Sequence, residues 1–280
     1  PMQWGAALVY GVVLLYVWRS GVMGVGWTNT LQGLFMMVLA WTLGLYLPYA
    51  LHGGVGPMFA KIAERDPGFL TLPGRTPDGG DWSWSSYGSS VFVMAVGFSF
   101  WPHLFQKAFA AKSERVLRRT VVLYPTFQFF LLPILFIGFA GVGFDPPPEQ
   151  ADQILPHLLL HMDLPALVVG LFCAGALAAS MSSGDAILHS AASIVVRDGW
   201  IVGFGRSLSP HAERRAVRLM LLPLLLLSYL VAAVFPVDIV GLLSYAYGPV
   251  GQLAPPVLAA LFWSKATGRG ALVGLVVGSM

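Results

Sequence analysis

Between Gly175 and Asp185 the chain reads Gly-Ala-Leu-Ala-Ala-Ser-Met-Ser-Ser-Gly-Asp, the densest set of polar groups in any of its long apolar stretches. Ala179, Ser182, Ser183 and Ala186 fall at i, i+3, i+4 and i+7, which is one face of a helix. Small side chains there let a second helix come close, and the two hydroxyls are hard oxygen ligands. A small cation stripped of water needs several such oxygens, supplied by hydroxyls and exposed carbonyls. The competing reading is that each serine bonds back to its own helix carbonyl or joins neighbouring helices. Asp185 is the one acid deep within such a stretch. It serves as a coupling group, as a carboxylate paired with a neighbouring helix, or as one reaching the cytoplasmic water near Arg197.

A second set lies at 94–106, Met-Ala-Val-Gly-Phe-Ser-Phe-Trp-Pro-His-Leu-Phe-Gln. Gly97 and Pro102 both weaken a helix, and proline removes a backbone donor and clashes with the preceding turn. Interrupted membrane helices expose backbone groups to a substrate, and Phe98, Phe100 and Trp101 would line such a break. A plain proline kink with aromatics toward lipid is the alternative. His189 follows Ser182 by seven residues, and two helical turns separate such side chains by about 10 Å. A nucleophile and its base need hydrogen-bond contact, so no dyad forms within this helix. The other histidines (52, 103, 157, 161 and 211) lack metal-ligand spacing. Gly270, Gly274 and Gly278 form a G-x-x-x-G-x-x-x-G face suited to close helix packing.

The elements that must position these groups follow from composition. Of 280 residues, 56% are hydrophobic and 10% charged, against roughly 25% charged in a soluble domain. So few charges cannot cover a water-facing surface, which excludes a soluble enzyme, a disordered tail and a nucleic-acid module. The expectation is an all-α polytopic membrane protein whose partners include the lipid bilayer. Cys173 is the single cysteine, so no disulfide forms within the chain.

A crossing helix needs about 20 mostly apolar residues. Stretches near 5–18, 31–51, 88–106, 120–143, 165–196, 216–235 and 239–263 qualify, with a partial one from 270. The fifth is long enough to tilt or run on past the membrane. Thirteen of the sixteen Lys and Arg residues fall in alternate connections, namely Arg19, the 107–119 group, the 197–218 group, Lys265 and Arg269. The opposite connections hold only Lys61, Arg65 and Arg75, diluted by Glu64, Asp66, Asp78 and Asp81. The basic side is therefore expected to be cytoplasmic, making 197–215 a cytoplasmic loop and 52–86 and 144–164 extracytoplasmic loops. The 52–86 loop, rich in Gly, Pro, Ser and Asp, reads as mostly irregular. Within 149–162, Ile154, Leu158 and His161/Met162 have helical spacing and predict a short helix on the outer membrane surface. Residues 1–280 read as a single transmembrane domain. Both ends lie in or beside apolar runs without a leader, so the expectation is an internal segment of a longer membrane protein.

Four stretches carry a resemblance. Gly26-Trp27-Thr28-Asn29-Thr30-Leu31-Gln32-Gly33 is similar to a W-T-D-x-x-Q motif. Trp101-Pro102-His103-Leu104-Phe105-Gln106-Lys107 with Ala110-Ala111-Lys112-Ser113 is similar to P-H-x-x-x-R…A-A-K-S. Residues 178–185 are similar to A-A-x-M-S-[ST]-x-D. Ser244-Tyr245-Ala246-Tyr247, Phe262-Trp263-Ser264-Lys265 and Gly268-Arg269-Gly270-Ala271 are similar to S-Y-A-x…W-S-[RK]…G-A. In this order and spacing they resemble the sodium:solute symporter family, whose members include proline, sugar, pantothenate and monocarboxylate carriers.

The resemblance implies a ten-helix inverted-repeat core of the leucine-transporter type, of which this chain resembles core helices four to ten and the start of the next. It implies that Na+ is the coupling ion. Ser182 and Ser183 fall where the family's sodium-binding hydroxyls sit, and Ala179 where a backbone carbonyl joins them. Met94, Phe98, Trp101 and Pro102 fall on the broken sixth core helix that lines the substrate cavity. The remaining sodium ligands would come from the first core helix, which lies outside this sequence. Asn29 stands where many members have Asp, and Met94 and Phe98 replace a tryptophan and a tyrosine of the proline carriers.

The implied activity is sodium-coupled symport of a small organic solute, a monocarboxylate or amino acid before a sugar, in the plasma (inner) membrane. Proton coupling through Asp185 and a transporter-like sensor domain are the alternatives. An enzyme is not expected.

Overall fold

A computed structural model describes residues 2–76, 80–234 and 239–278. Asp78, part of the charge count above, lies outside them. In chain order the helices are α1 (Met2–His52), α2 (Val55–Arg65), α3 (Trp84–Ser99), α4 (Pro102–Phe109), α5 (Glu114–Gln128) and α6 (Leu131–Ala140). They continue with α7 (Ile154–His161), α8 (Ala166–Ile194), α9 (Pro210–Val234), α10 (Ile239–Gly251), α11 (Ala254–Phe262) and α12 (Gly268–Gly278). Among the described residues, five segments are long and apolar enough to cross a membrane: Gly26–His52, Trp84–Phe109, Glu114–Ala140, Ala166–Gly203 and Pro210–Val234.

Several boundaries differ from the expected ones, each for a local reason. The stretches at 5–18 and 31–51 are one helix, α1. No proline lies between them, and isolated glycines are tolerated in a helix. Its 51 residues measure about 75 Å at 1.5 Å per residue, more than one bilayer crossing. The 239–263 stretch divides into α10 and α11 at Gln252–Leu253, just ahead of Pro255 and Pro256. Residues 195–203 continue α8 in the wider π winding, and α9 starts at Pro210. Only 204–209 of the expected 197–215 loop is therefore non-helical. The 52–86 loop is likewise not mostly irregular at its start, because it opens with α2. Gly53 and Gly54, at φ +84° and +135°, supply the reversal that α1 needs before α2 begins. Val55, Met58 and Ile62 then give α2 a buried face.

Contacts divide the chain into two compact units. The first, 1–64 with 112–236, contains α1, most of α2 and α5 to α9. Its main core joins Leu43 and Leu47 of α1, Met58 and Ile62 of α2, Ile137 and Ala140 of α6, and Leu158 and Leu159 of α7. Helix α7 forms where the sequence predicts one. Its Leu158 and Leu159 are buried against those helices. The His52 ring donates from Nε2 to the Ala140 carbonyl at 2.9 Å, tying the end of α1 to the end of α6. A second cluster joins Ala186, Leu188 and Ala192 of α8 to Leu221 of α9.

The second unit, 65–111 with 237–280, contains α3, α4 and α10 to α12. Helix α3 starts on a serine cap, with Ser83 Oγ accepting from the Ser86 backbone at 3.1 Å. It packs on α10, where a Cβ on Gly97 would stand 2.9 Å from the Tyr247 ring. The predicted packing face of α12 is largely open: Gly274 has nothing within 4 Å, and only Gly278 reaches the Gln252 side chain. Across both units, large apolar side chains remain exposed, as on Val121, Val122 and Leu123. A lipid-facing surface has this composition.

Candidate functional site

The polar stripe of α8 lies in the first unit. The helix needs few large side chains there because α1 runs close beside it: a Cβ on Gly175 would stand 2.3 Å from the Leu39 side chain. Ser182 Oγ donates to the Ala179 carbonyl at 2.9 Å, and Ser180 Oγ to the Ala176 carbonyl at 3.0 Å. The back-bonding alternative is thus realised. It does not use up the oxygens, however. A hydroxyl that donates its proton still has two lone pairs, and a carbonyl has two of its own. Ser182 and Ala179 therefore keep acceptor capacity beside the exposed Ser183.

Asp185 is fully buried on the same helix. Leu43 and Leu47 of α1 share a core with Val168 and Phe172 of α8, while Leu39 meets Gly175. Residue numbers rise on one helix as they fall on the other, so the pair is antiparallel. Seven residues along each from Leu39 and Gly175 set Gln32 level with Ser182, and ten set Asn29 level with Asp185, since both helices rise about 1.5 Å per residue. The Asn29 Oδ1 and Gln32 Oε1 oxygens are shut away from solvent, and neither has a hydrogen-bond donor among the described residues. Buried amide oxygens without a donor are uncommon, and leaving one unpaired is costly. Gln32 was given no role by the sequence reading, although its position three residues after Asn29 places both on one face.

Met94, Phe98, Trp101 and Pro102 lie in the second unit. The helix breaks where the proline predicts: α3 ends at Ser99, Phe100 and Trp101 leave the helix, and Pro102 opens α4 at its first turn. Such a break frees carbonyls at the end of one helix and N–H groups at the start of the next. Gly97 is not the point of rupture. It is buried and admits Tyr247 instead. Trp101 packs edge-on to Tyr247, with ring centroids 5.7 Å apart, and to His103 at the same separation. Met94 and Phe98 are exposed on α3. Tyr247 is the residue missed here. Its signal was an aromatic within a quoted motif, with nothing local to connect it to Trp101. Among the described residues no group of three His, Cys, Asp or Glu side chains forms a metal site.

The chain has recognisable relatives. The uncharacterized symporter YhjB of Bacillus subtilis (strain 168) is 32% identical, over 98% of this chain and 55% of its own length. The sodium/pantothenate symporter of Haemophilus influenzae is 28% identical, over 98% and 56%. The high-affinity proline transporter PutP of Bacillus subtilis is 27% identical, over 98% and 58%. The chain thus spans about half the length of these relatives. The structure of a Na+-coupled sialic acid symporter in a substrate-bound outward-open state is similar with a TM-score of 0.74. The match covers 97% of this chain and 58% of that one at 23% identity. That likeness establishes an all-α fold that forms part of the inverted-repeat transporter core. The profile of the sodium:solute symporter family matches residues 2–278, and the chain belongs to that family.

Proposed function

We propose that this chain forms part of a secondary transporter that couples inward sodium movement to uptake of a small organic solute in the plasma membrane. The observation that carries the reading is the α8 stripe, where Ser182, Ser183 and the Ala179 carbonyl offer hard oxygens on a helix otherwise built of apolar and small residues. Sodium held there favours one of two conformations only by its differential affinity for them. Substrate would bind beside the α3–α4 break, near Met94, Phe98, Trp101 and Pro102. The apolar character of that lining supports a monocarboxylate or an amino acid over a sugar. Relatives named for pantothenate, proline and sialic acid support a small organic solute without selecting one.

The test is uptake of labelled carboxylates, amino acids and sugars into proteoliposomes carrying the polypeptide its gene encodes. We expect uptake of one class, driven by a sodium gradient and lost in Ser182→Ala/Ser183→Ala protein that remains folded. Undiminished sodium stimulation in that variant would sink the site assignment.

Full burial of Asp185 within a crossing helix supports a second reading, proton coupling, since intramembrane acids serve as proton relays. That reading requires uptake driven by a pH gradient, indifferent to sodium, and abolished by Asp185→Asn.

A further inference from the structure

Against the expectation that none of the histidines at 52, 103, 157, 161 and 211 has metal-ligand spacing, helix α7 carries His157 and His161 four residues apart, so both imidazoles rise from one face. Their ring centroids lie 4.0 Å apart with planes inclined by 32°. His157 Nε2 lies 2.7 Å from the Pro146 carbonyl, and His161 Nδ1 lies 2.9 Å from the His157 carbonyl. A carbonyl only accepts, so each of those nitrogens carries its ring's proton. A neutral imidazole holds one proton, which leaves His157 Nδ1 and His161 Nε2 as bare lone pairs. Metal-ligating histidines are oriented in this way, with the second nitrogen donating to a carbonyl or carboxylate. Phe144 packs edge-on against both rings, at 5.8 and 6.4 Å, and limits their rotation.

The surroundings favour a cation. His161 is exposed and His157 half-buried, so an ion reaches them from solvent. Residues 144–164 include Asp145, Glu149, Asp152 and Asp163 and contain no Lys or Arg, which raises the local concentration of positive ions.

We propose that His157 and His161 form a two-imidazole site for a divalent transition-metal ion such as Zn2+ or Cu2+. Imidazole nitrogen suits these ions, whereas sodium, magnesium and calcium prefer oxygen. The site is therefore chemically separate from the α8 stripe and independent of the transport reading. With no third His, Cys, Asp or Glu grouped there among the described residues, water completes the coordination. The intervening Leu158-Leu159-Leu160 supplies no glutamate of the kind that makes an H-E-x-x-H helix hydrolytic. The site binds; it does not catalyse.

The experiment is Cu2+ electron paramagnetic resonance and Zn2+ calorimetry on the purified protein in detergent. One equivalent of Cu2+ is expected to show coupling to two imidazole nitrogens. His157→Ala and His161→Ala are each expected to weaken Zn2+ binding by more than about tenfold, and His211→Ala to leave it unchanged. Coupling to fewer than two nitrogens in the unaltered protein overturns the proposal without reference to any variant. So does Zn2+ binding that survives unchanged in the His157→Ala/His161→Ala protein. Metal-free thermal unfolding of each variant, with His157→Gln and His161→Gln as gentler replacements, separates lost ligands from lost structure.

Discussion

A serine hydroxyl in hydrocarbon has one proton to place, and Ser182 places it on the Ala179 carbonyl 2.9 Å away. That bond satisfies the donor and leaves the lone pairs available, so a helix-stabilising serine and an ion-binding serine are the same atom in two roles. The distinction is testable by chemistry that keeps or removes the oxygen. Ser182→Thr is expected to retain sodium-dependent uptake. Ser182→Ala is expected to raise the half-saturating sodium concentration about tenfold or more, the scale of one lost bond to a charged group. Equal behaviour of the two variants in a sodium titration would show that the hydroxyl has no part in coupling. Asn29 and Gln32 belong to the same scale. Their buried oxygens lack donors among the described residues, and a neutral amide at position 29 offers a weaker cation ligand than a carboxylate would.

At the scale of helices, close approach is set by where side chains are missing. A Cβ on Gly44 of α1 would lie 2.4 Å from both the Cβ and the backbone carbonyl of Pro133 on α6. Backbone cannot swing aside as a side chain does, so the two helices must separate. Gly44→Ala is expected to destabilise the first unit by about 1–3 kcal/mol, the range for overpacking a filled interior. The checking measurement is thermal unfolding in detergent beside Gly33→Ala, whose added methyl meets nothing within 4 Å. Matching unfolding temperatures would refute the steric argument. The α3–α4 break illustrates the opposite case, because Pro102 decides it locally. The ring costs nothing at the first turn of α4 and disfavours continuation of α3, where it would remove a hydrogen bond and clash with the preceding turn.

For the whole molecule, the distribution of charge predicts orientation. The basic residues of 107–119 and 197–218 with Lys265 and Arg269, set against a 144–164 segment that has none, lead us to propose that 204–209 lies in the cytoplasm and 144–164 outside. Arg19 falls within the continuous α1 and not on a connection. In a Cys173→Ala background, Gln150→Cys is expected to react with a membrane-impermeant maleimide in intact cells. Ser207→Cys is expected to react only after permeabilisation. The reverse pattern would invert the topology. Both positions are exposed in the first unit, so lack of labelling would not follow from burial.

The membrane class, the all-α fold and the break before Pro102 were legible in the residues themselves, because hydropathy, charge placement and proline geometry act over a few residues of chain. The α8 stripe was legible for the same reason, since helical spacing alone puts Ala179, Ser182 and Ser183 on one face. Helix α2 was legible in principle: Val55, Met58 and Ile62 have helical spacing, but a Gly- and Pro-rich setting hid them. Other features were decided only in three dimensions. Spacing did not show that Gln32 would lie level with Ser182 from another helix, or that Tyr247 would meet Trp101 across 146 residues. Nor did it show that the His157 ring would meet the Pro146 carbonyl. The physical reason is common to these cases. Local sequence sets which face of a helix is polar, whereas hydrogen-bond partners and ring contacts depend on which other helix packs against that face.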